Sequence, residues 1–322
     1  MKENPIIGLI LPKKISHDSK NFTNTLNTNA MNQLIQIKPH DYDMNNITGS
    51  ATFRNKDTTL QIEQFNTLAT KCFSITCRYL FIALIQEFNN LGKKSKIITF
   101  PIKKYMELRG VKDKKSALEQ IERDLKILIS SRVEYSKKNN KSKKKSDANF
   151  SIINLFQRGD IDIKNKNIKV LLGDFFYDYL VDAYPLPIND SLFKLDPQTS
   201  TFSLGWYFFT HFNQNQNKTN ANVISVKTLL QACPTIPTRD SAYPYLSQKI
   251  IKPFVNSINS LIKEDILLTT DYLDTKGKIL TEEQFCKLSY EEFIECSLFY
   301  TIKNYPIKLV SKKRGRKRRL KN

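Results

Sequence analysis

Two stretches of the chain concentrate side chains that carry positive charge. Residues 137–145 contain six lysines and no acid, and residues 307–321 contain nine lysines and arginines. Fifteen charges of a net +20 therefore lie in two short tracts, which leaves the rest of the 322-residue chain near +5. Such tracts favour a polyanionic partner, because each cation placed beside a phosphate releases condensed counterions. The alternative is that both tracts are solvated segments that only aid solubility.

The sequence lacks the residue patterns of enzymes that cut nucleic acid or hydrolyse nucleotides. A nicking enzyme would need a tyrosine beside a paired-histidine metal site, whereas His17, His40 and His211 are far apart in sequence. The sequence contains no phosphate-binding loop of the type G-x-x-x-x-G-K-[ST]. Asp160 and Asp162 alternate as metal ligands can, but strand alternation places both on one solvent face. We therefore expect a binding protein that is not an enzyme, with no cofactor and no metal.

The remaining composition indicates an intracellular protein. The chain has an odd number of cysteines, most of them in apolar segments, which favours reduced core thiols in the cytoplasm. No apolar run approaches the roughly 18 residues needed to cross a membrane, and no secretion signal is recognisable. We expect a cytoplasmic protein without a membrane partner. The cysteines are Cys72, Cys77, Cys233, Cys286 and Cys296.

The elements over residues 68–157 follow the order of a winged helix. A helix with a buried stripe is predicted from about Leu68, then a short strand before Pro101 and a second helix that stops at Gly110. Asp113 begins a third helix, after which a strand, the lysine tract and a returning strand complete the pattern. This order predicts that the basic tract forms the tip of the wing.

The same order recurs about 130 residues later. An aromatic helix over residues 202–212, a short helix before Pro234 and a long helix over residues 243–263 precede a hairpin over residues 266–280. Two further strands and a helix are predicted between the copies, over residues 160–181. We predict an α+β chain with two tandem winged-helix domains. Its predicted parts are a mostly disordered arm (1–45), a first domain with a basic wing (46–190), a second domain (191–306) and a basic disordered tail (307–322).

Two stretches resemble a known family, the iteron-binding plasmid replication initiators. KIIKPFVNSIN at residues 249–259 resembles the recognition helix of that family's second domain, and FPIKKYMELRG at residues 100–110 resembles its first domain. The resemblance extends over about residues 60–305, but the Asn-rich arm and the basic tail are not general features of the family. Pro253 removes a helical hydrogen bond, so we expect a kink there or a helix start close by.

The resemblance implies a function on double-stranded DNA. Members bind direct repeats at an origin, open a neighbouring AT-rich stretch and recruit host replication proteins, and a homodimer is a further candidate form. The alternative is a winged-helix transcription regulator, or a phage or partition DNA-binding protein, without initiator activity. Short direct repeats beside the gene would favour an initiator, and a single inverted repeat would favour a repressor.

The helix faces that do not carry the core stripe are the candidate DNA-binding surfaces. In the second domain the alternative is a solvated face. In the first domain they could read bases or only hold phosphates, and the domain could instead serve dimerisation. The candidates in the second domain are Arg239, Ser247, Gln248, Lys249, Lys252 and Asn256, and those in the first are Lys114, Lys115, Ser116, Gln120 and Arg123.

The two basic tracts are expected to bind phosphates without reading sequence. The Arg-Gly-Arg core of the tail resembles an AT-hook, whose arginines enter the narrow minor groove of A·T tracts. Lys317 stands where such hooks have proline, and a nonspecific electrostatic arm is the alternative. The lysines of the first tract are Lys137, Lys138, Lys141, Lys143, Lys144 and Lys145. The tail candidates are Lys312, Lys313, Arg314, Arg316, Lys317, Arg318 and Arg319.

Overall fold

The computed structural model describes residues 22–38, 41–55, 58–63, 73–137, 149–216 and 218–306. The predicted arm up to residue 21, five of the six tract lysines and the whole predicted tail lie outside these ranges. Lys137 is described only as the last residue of a strand.

The described residues 22–38, 41–55 and 58–62 form an N-terminal segment that is folded and contributes no helix to either winged-helix unit. The side chain of Thr28 accepts a hydrogen bond from the Met31 amide and so begins the first helix. Leu26 and Met31 are fully buried, so the prediction of a mostly disordered arm over residues 1–45 is wrong for residues 22–38. The local sequence does not predict that this segment is folded, because its first strand pairs with residues 184–189, far along the chain. The elements are β1 (Phe22–Asn27), α1 (Asn29–Ile35), β2 (Tyr42–Asn45), β3 (Ser50–Asn55) and β4 (Thr58–Ile62).

The first winged-helix unit has the predicted helices with clear local signals. Ser74 begins its first helix by accepting a hydrogen bond from the Cys77 amide, so this helix starts later than the predicted Leu68. Gly110 ends the second helix in the left-handed conformation, with φ of 65°. The Asp113 carboxylate caps the third helix. The elements are α2 (Ile75–Asn90), β5 (Ile97–Pro101), α3 (Ile102–Arg109), α4 (Lys114–Ile129), β6 (Ser131–Lys137), β7 (Asn149–Asn154), β8 (Phe156–Asp162) and β9 (Asn167–Leu172).

The wing of this unit is the β8–β9 hairpin, because β8 and β9 join β5 in a three-stranded sheet of order β5-β9-β8. The prediction that the lysine tract forms the wing tip is therefore wrong. The tract connects β6 and β7, which belong to a separate five-stranded sheet of order β2-β3-β4-β6-β7. The cause is a non-local pairing: β6 turns back onto β4, where buried Val133 pairs with buried Leu60. Nothing in the local pattern distinguishes that strand from a wing strand.

The second unit repeats the topology of the first. Its sheet has the order β11-β13-β12, so the strand between the first two helices lies at one edge and the last strand lies in the centre, as in β5-β9-β8. The prediction of two tandem winged-helix units is confirmed. The connecting elements are α5 (Asp174–Val181), β10 (Tyr184–Asn189) and a 3-10 turn (Asp190–Lys194). The second unit consists of α6 (Thr201–Asn215), β11 (Val223–Ser225), α7 (Val226–Gln231), α8 (Arg239–Ala242), a π-helical turn (Ser247–Ile251), α9 (Lys252–Lys263), β12 (Leu267–Leu273), α10 (Glu282–Cys286), α11 (Tyr290–Glu295) and β13 (Ser297–Ile302).

Pro253 lies at the start of α9, directly after the π-helical turn. Proline is tolerated in the first turn of a helix, where its missing N–H would have no intrahelical partner. α9 begins at Lys252, so a change of helix type lies close to Pro253, but the helical backbone continues from Leu246 through the π-helical turn. The predicted continuous helix over residues 243–263 is wrong only at its beginning.

The predicted hairpin over residues 266–280 is only partly correct. β12 takes β13 as its strand partner, and residues 278–280 contribute a single bridge between Leu273 and Ile279. The segment between them contains α10 and α11, which the periodicity of the sequence does not predict. Both begin with a capping box, at Thr281 and at Ser289, and that signal is present in the sequence.

A buried arginine joins the first segment to both units. Arg78 in α2 is fully buried and donates hydrogen bonds to the carbonyls of Phe73, Ile35 and Ile37. Ser203 in α6 donates to the same Ile35 carbonyl at 3.2 Å. One guanidinium therefore holds the end of α1 against helices of both units.

We expect Arg78→Met to lower the free energy of unfolding by about 3 kcal/mol or more, because it leaves buried carbonyls without donors. Urea unfolding measures the change, with Arg123→Met, at an exposed position of α4, as the control. A loss below about 1 kcal/mol, in the range of ordinary surface substitutions, would contradict the role given to this guanidinium.

Candidate nucleic-acid interface

The predicted recognition helix of the second unit corresponds to the π-helical turn together with α9. Ile250, Phe254 and Ile258 are buried against the unit, and this stripe fixes which side of the helix faces outward. The predicted residues all lie on the outward side and are exposed. Among the described residues, Lys249 and Lys252 form no ion pair, and the Lys249 ammonium lies 5.4 Å from the centre of the Tyr245 ring. The exposed set is Ser247, Gln248, Lys249, Lys252 and Asn256.

Arg239, the sixth residue predicted for this surface, is held by a neighbouring helix. Its guanidinium donates to the Glu291 carboxylate at 2.9 Å and lies 6.0 Å from the centre of the Tyr290 ring. The hydrogen bond from Arg239 lowers the pKa of Glu291. The arginine is exposed, but it would have to leave a carboxylate to bind a phosphate.

In the first unit the N-terminal part of α4 presents the predicted polar side chains. Lys114, Lys115 and Arg123 are exposed, and Gln120 is half-buried. Ser116 is exposed, but its hydroxyl is hydrogen-bonded to the capping carboxylate of Asp113. The three cations therefore form the stronger part of this surface, and Ser116 serves the helix cap first.

The wing turn adds two lysines that the sequence pattern does not single out as site residues. Lys164 and Lys166 are exposed in the turn between β8 and β9. Asp162 fixes the turn by accepting hydrogen bonds from the Asn165 amide at 2.9 Å and from the Lys169 ammonium at 3.1 Å. These bonds, with the Asn165 amide bond the largest contribution, lower the pKa of Asp162 to about 2. The sequence correctly predicts that this turn joins two strands. It does not show that these strands form the wing.

The wing turn is attached to the helix-turn-helix of the same unit. The Lys166 carbonyl accepts a hydrogen bond from the Ile102 amide at 3.0 Å, which places the turn at the start of α3. A hollow of about 480 Å³ lies between the wing turn and the α3–α4 connection, with Lys103, Lys112, Lys114 and Lys166 among its lining residues. Lys166 of the wing and Lys114 at the start of α4 therefore line one hollow, in which Glu107 is the one acid among the described lining residues.

A buried carboxylate supports α4 from the inside. Asp124 is 2% exposed and accepts hydrogen bonds from the hydroxyls of Thr76 at 3.2 Å and Ser74 at 3.4 Å. Its second carboxylate oxygen has no described partner. Burial raises the pKa of Asp124 to about 7, against the opposing effect of these hydrogen bonds and of Arg123 and Arg109. The same contact ties α4 to the cap of α2.

The described residues contain no cluster of three metal-ligating side chains. Asp160 is paired with Arg158 at 2.8 Å, and Asp162 fixes the wing turn, so each has a structural partner. Four of the cysteines are described as free thiols, and Cys72 lies outside the description. Over the described ranges no helix has the length and apolar character required to span a membrane.

Comparison with known proteins agrees with this architecture. Residues 61–185 match the family described as Initiator Replication protein, WH1. A crystal structure of Pi initiator protein in complex with iteron DNA is similar over 88% of this chain and 98% of that chain, with a TM-score of 0.52 and 10% identity. A structure of domains 2 and 3 of RctB is similar over 84% of this chain and 98% of that chain, with a TM-score of 0.46 and 12% identity. No curated protein matches the chain in sequence. The predicted resemblance to the replication initiators is confirmed, and the likeness to Pi shows a shared fold.

We expect Asp124→Asn to flatten the dependence of stability on pH between about pH 4 and pH 7. The folded-state pKa of about 7 lies above the roughly 3.9 of an unfolded aspartate. Because the folded state then holds the proton more tightly, the wild-type free energy of unfolding decreases as the pH rises through this window. Asparagine keeps an acceptor for Thr76 and removes the titration.

Urea unfolding at several pH values measures this effect. The matched control is Asp178→Asn, at an exposed carboxylate of α5, which should leave the pH dependence as in the wild type. Parallel pH profiles for wild type and Asp124→Asn would show that the buried carboxyl does not titrate in this window.

Proposed function

We propose that this chain is a plasmid replication initiator that binds repeated sequences at an origin, a function supported by the match of residues 61–185 to the family described as Initiator Replication protein, WH1. The observation that carries the proposal is the duplicated topology, in which each unit presents an exposed helix with basic and amide side chains. Such helices enter the major groove, where arginine and lysine suit guanine and where asparagine and glutamine suit adenine. The predicted domain boundaries also belong to this proposal: a first domain over residues 46–190, which includes β3 and β4 in addition to its winged-helix unit, a second domain over residues 191–306 and a basic tail over residues 307–322.

The proposed partner is double-stranded DNA, with direct repeats as the specific target and an AT-rich stretch as the site of opening. Host replication proteins, and a second copy of the chain, are further proposed partners. We place the protein in the cytoplasm, acting as a binder and remodeller rather than as an enzyme. The alternative remains a winged-helix regulator without initiator activity, which would bind one inverted repeat instead of an array of direct repeats.

The two basic tracts would add affinity without sequence preference. The tract at residues 137–145 leaves the five-stranded sheet and not the wing, so its lysines need not reach the same groove as α4. The tail at residues 312–319 would extend along the neighbouring DNA, either as an AT-hook in a narrow minor groove or as a nonspecific arm.

Deletion of the tail distinguishes the AT-hook from the nonspecific arm, because losing a hook would weaken binding to A·T-rich duplexes more than to G·C-rich ones.

We expect Gln248→Ala and Lys249→Ala to weaken binding to the direct repeat by about 1–3 kcal/mol each. Random DNA of the same length should lose much less, because these side chains would contact bases rather than phosphates. Competition binding at a fixed salt concentration measures both affinities. Lys94→Ala is a matched control. This lysine is exposed and lies before Ile97, the end of β5 that is farther from the wing turn.

An equal loss on both DNAs would show that the recognition helix does not read bases. If the wild-type chain binds direct repeats no better than random DNA, the proposed function itself is contradicted.

Replacing both wing lysines, Lys164→Gln with Lys166→Gln, should reduce the slope of log affinity against log salt. We expect a reduction of about 0.9 for each phosphate that the variant no longer neutralises, with little change in sequence preference. Replacing the tract lysines 138–145 in a separate variant measures whether the tract contributes in addition. An unchanged slope in the wing variant would place the β8–β9 turn away from the DNA.

A further inference from the structure

A cleft of about 480 Å³ lies between the N-terminal segment and the second winged-helix unit. The first segment contributes residues that follow α1, among them Lys38, and the end of β3 with Arg54. The second unit contributes Lys227 from α7, Arg239 from α8 and Tyr290 from α11. The cleft thus joins a part of the chain outside both winged-helix units to the helix-turn-helix of the second unit.

The wall formed by the N-terminal segment is held by hydrogen bonds. The Lys38 ammonium donates to the Ile236 carbonyl at 3.4 Å, across the cleft. The Asn55 amide donates to the Gln33 carbonyl at 2.8 Å, which ties β3 to α1. Arg78 holds the Ile37 carbonyl from beneath. The cationic side chains are therefore presented from a fixed backbone.

Cations outnumber acids among the lining residues. Four are lysines or arginines, and Asp41 is the one acid that lines the cleft within the described ranges. Lys38 and Lys227 form no ion pair with a described residue. Arg54 pairs with Asp43, and Arg239 pairs with Glu291, but the two arginine side chains are 63% and 53% exposed. Exposed pairs contribute little free energy, so a phosphate can replace either carboxylate.

The place of the cleft in the fold favours a phosphodiester over another anion. In helix-turn-helix proteins the helix before the recognition helix crosses the DNA backbone. In this chain that helix is α7, and the connection to α9 contains α8, so Lys227 and Arg239 lie where the strand bordering the groove would pass. Lys38 and Arg54 lie on the opposite wall of the same cleft and would extend that contact.

We propose that this cleft binds the DNA backbone beside the second unit's recognition helix, so that the N-terminal segment supplies a third DNA contact through Lys38 and Arg54. This inference rests on the proposed DNA-binding function. It assigns a binding role to residues that belong to neither recognition helix and neither wing. Glu291 would compete with the DNA phosphate for the Arg239 guanidinium, because it pairs with that guanidinium when no phosphate is bound.

The test is the salt dependence of DNA binding by the full chain carrying Lys38→Gln with Arg54→Gln. The slope of log affinity against log salt should fall by about 0.9 for each phosphate released from the cleft, for specific and random DNA alike. Glu291→Gln should act in the opposite direction and strengthen binding, because it releases Arg239. The control is Lys94→Gln with Lys218→Gln, which removes two exposed lysines that precede β5 and β11.

Urea midpoints accompany each variant, because Lys38 also bonds the Ile236 carbonyl. A slope equal to that of the control, with an unchanged midpoint, overturns the proposal and leaves the cleft to another anion, such as an acidic peptide. Weaker binding by Glu291→Gln would also overturn it. Wild-type binding without preference for direct repeats would contradict the proposed function but not the cleft, whose slope change would still be measured on random DNA.

Discussion

The arrangement of this molecule depends on one buried guanidinium. Arg78 is fully buried in α2, between buried Cys77 and Tyr79, and two of its hydrogen bonds end on the Ile35 and Ile37 carbonyls of the N-terminal segment. A charge removed from water is costly unless its hydrogen bonds are satisfied, so the segment cannot leave without exposing or stranding that charge. Trp206 in α6 reinforces the contact by donating to the Asn32 side chain at 2.9 Å. The two units and the cleft between segment and second unit all take their positions from this junction.

The duplicated topology carries two different wings. The first wing is short, is fixed by Asp162 and presents Lys164 and Lys166. The second contains α10 and α11, whose exposed side chains include several glutamates, and one of them holds Arg239. Like charges repel phosphates, so these glutamates disfavour contact with the DNA backbone, whereas Lys276 and Lys278 in the turn after β12 are exposed. Under the proposed function, the second unit contacts DNA through its recognition helix and the cleft, and the first through α4 and its wing.

Sequence reasoning predicts what is encoded locally. The Asp113 cap, the stop at Gly110 and the apolar stripe of α9 all follow from short-range patterns, and each is present in the structure. The exposed face of α9 follows from that stripe. The errors arise where distant segments pair. The pairing of β1 with β10 orders a segment predicted to be disordered, and the pairing of β6 with β4 moves the lysine tract away from the wing.

The candidate site residues that the sequence does not predict also depend on contacts between distant segments. Lys164 and Lys166 stand in a turn that looks ordinary until β8 and β9 are recognised as the wing, and Lys38 and Arg54 meet the second unit only through tertiary contacts. Capping boxes at Thr281 and Ser289 could have revealed α10 and α11 from the sequence alone.

The proposed start of replication at direct repeats can be measured as the maintenance of a plasmid. The gene with its flanking DNA is placed on a selectable circle that lacks any other origin, and transformants are counted with and without an intact reading frame. Stable transformants are expected only when both the protein and its neighbouring direct repeats are present. Failure to maintain the circle, by a protein that is produced and binds a single inverted repeat, would contradict it and favour a regulator.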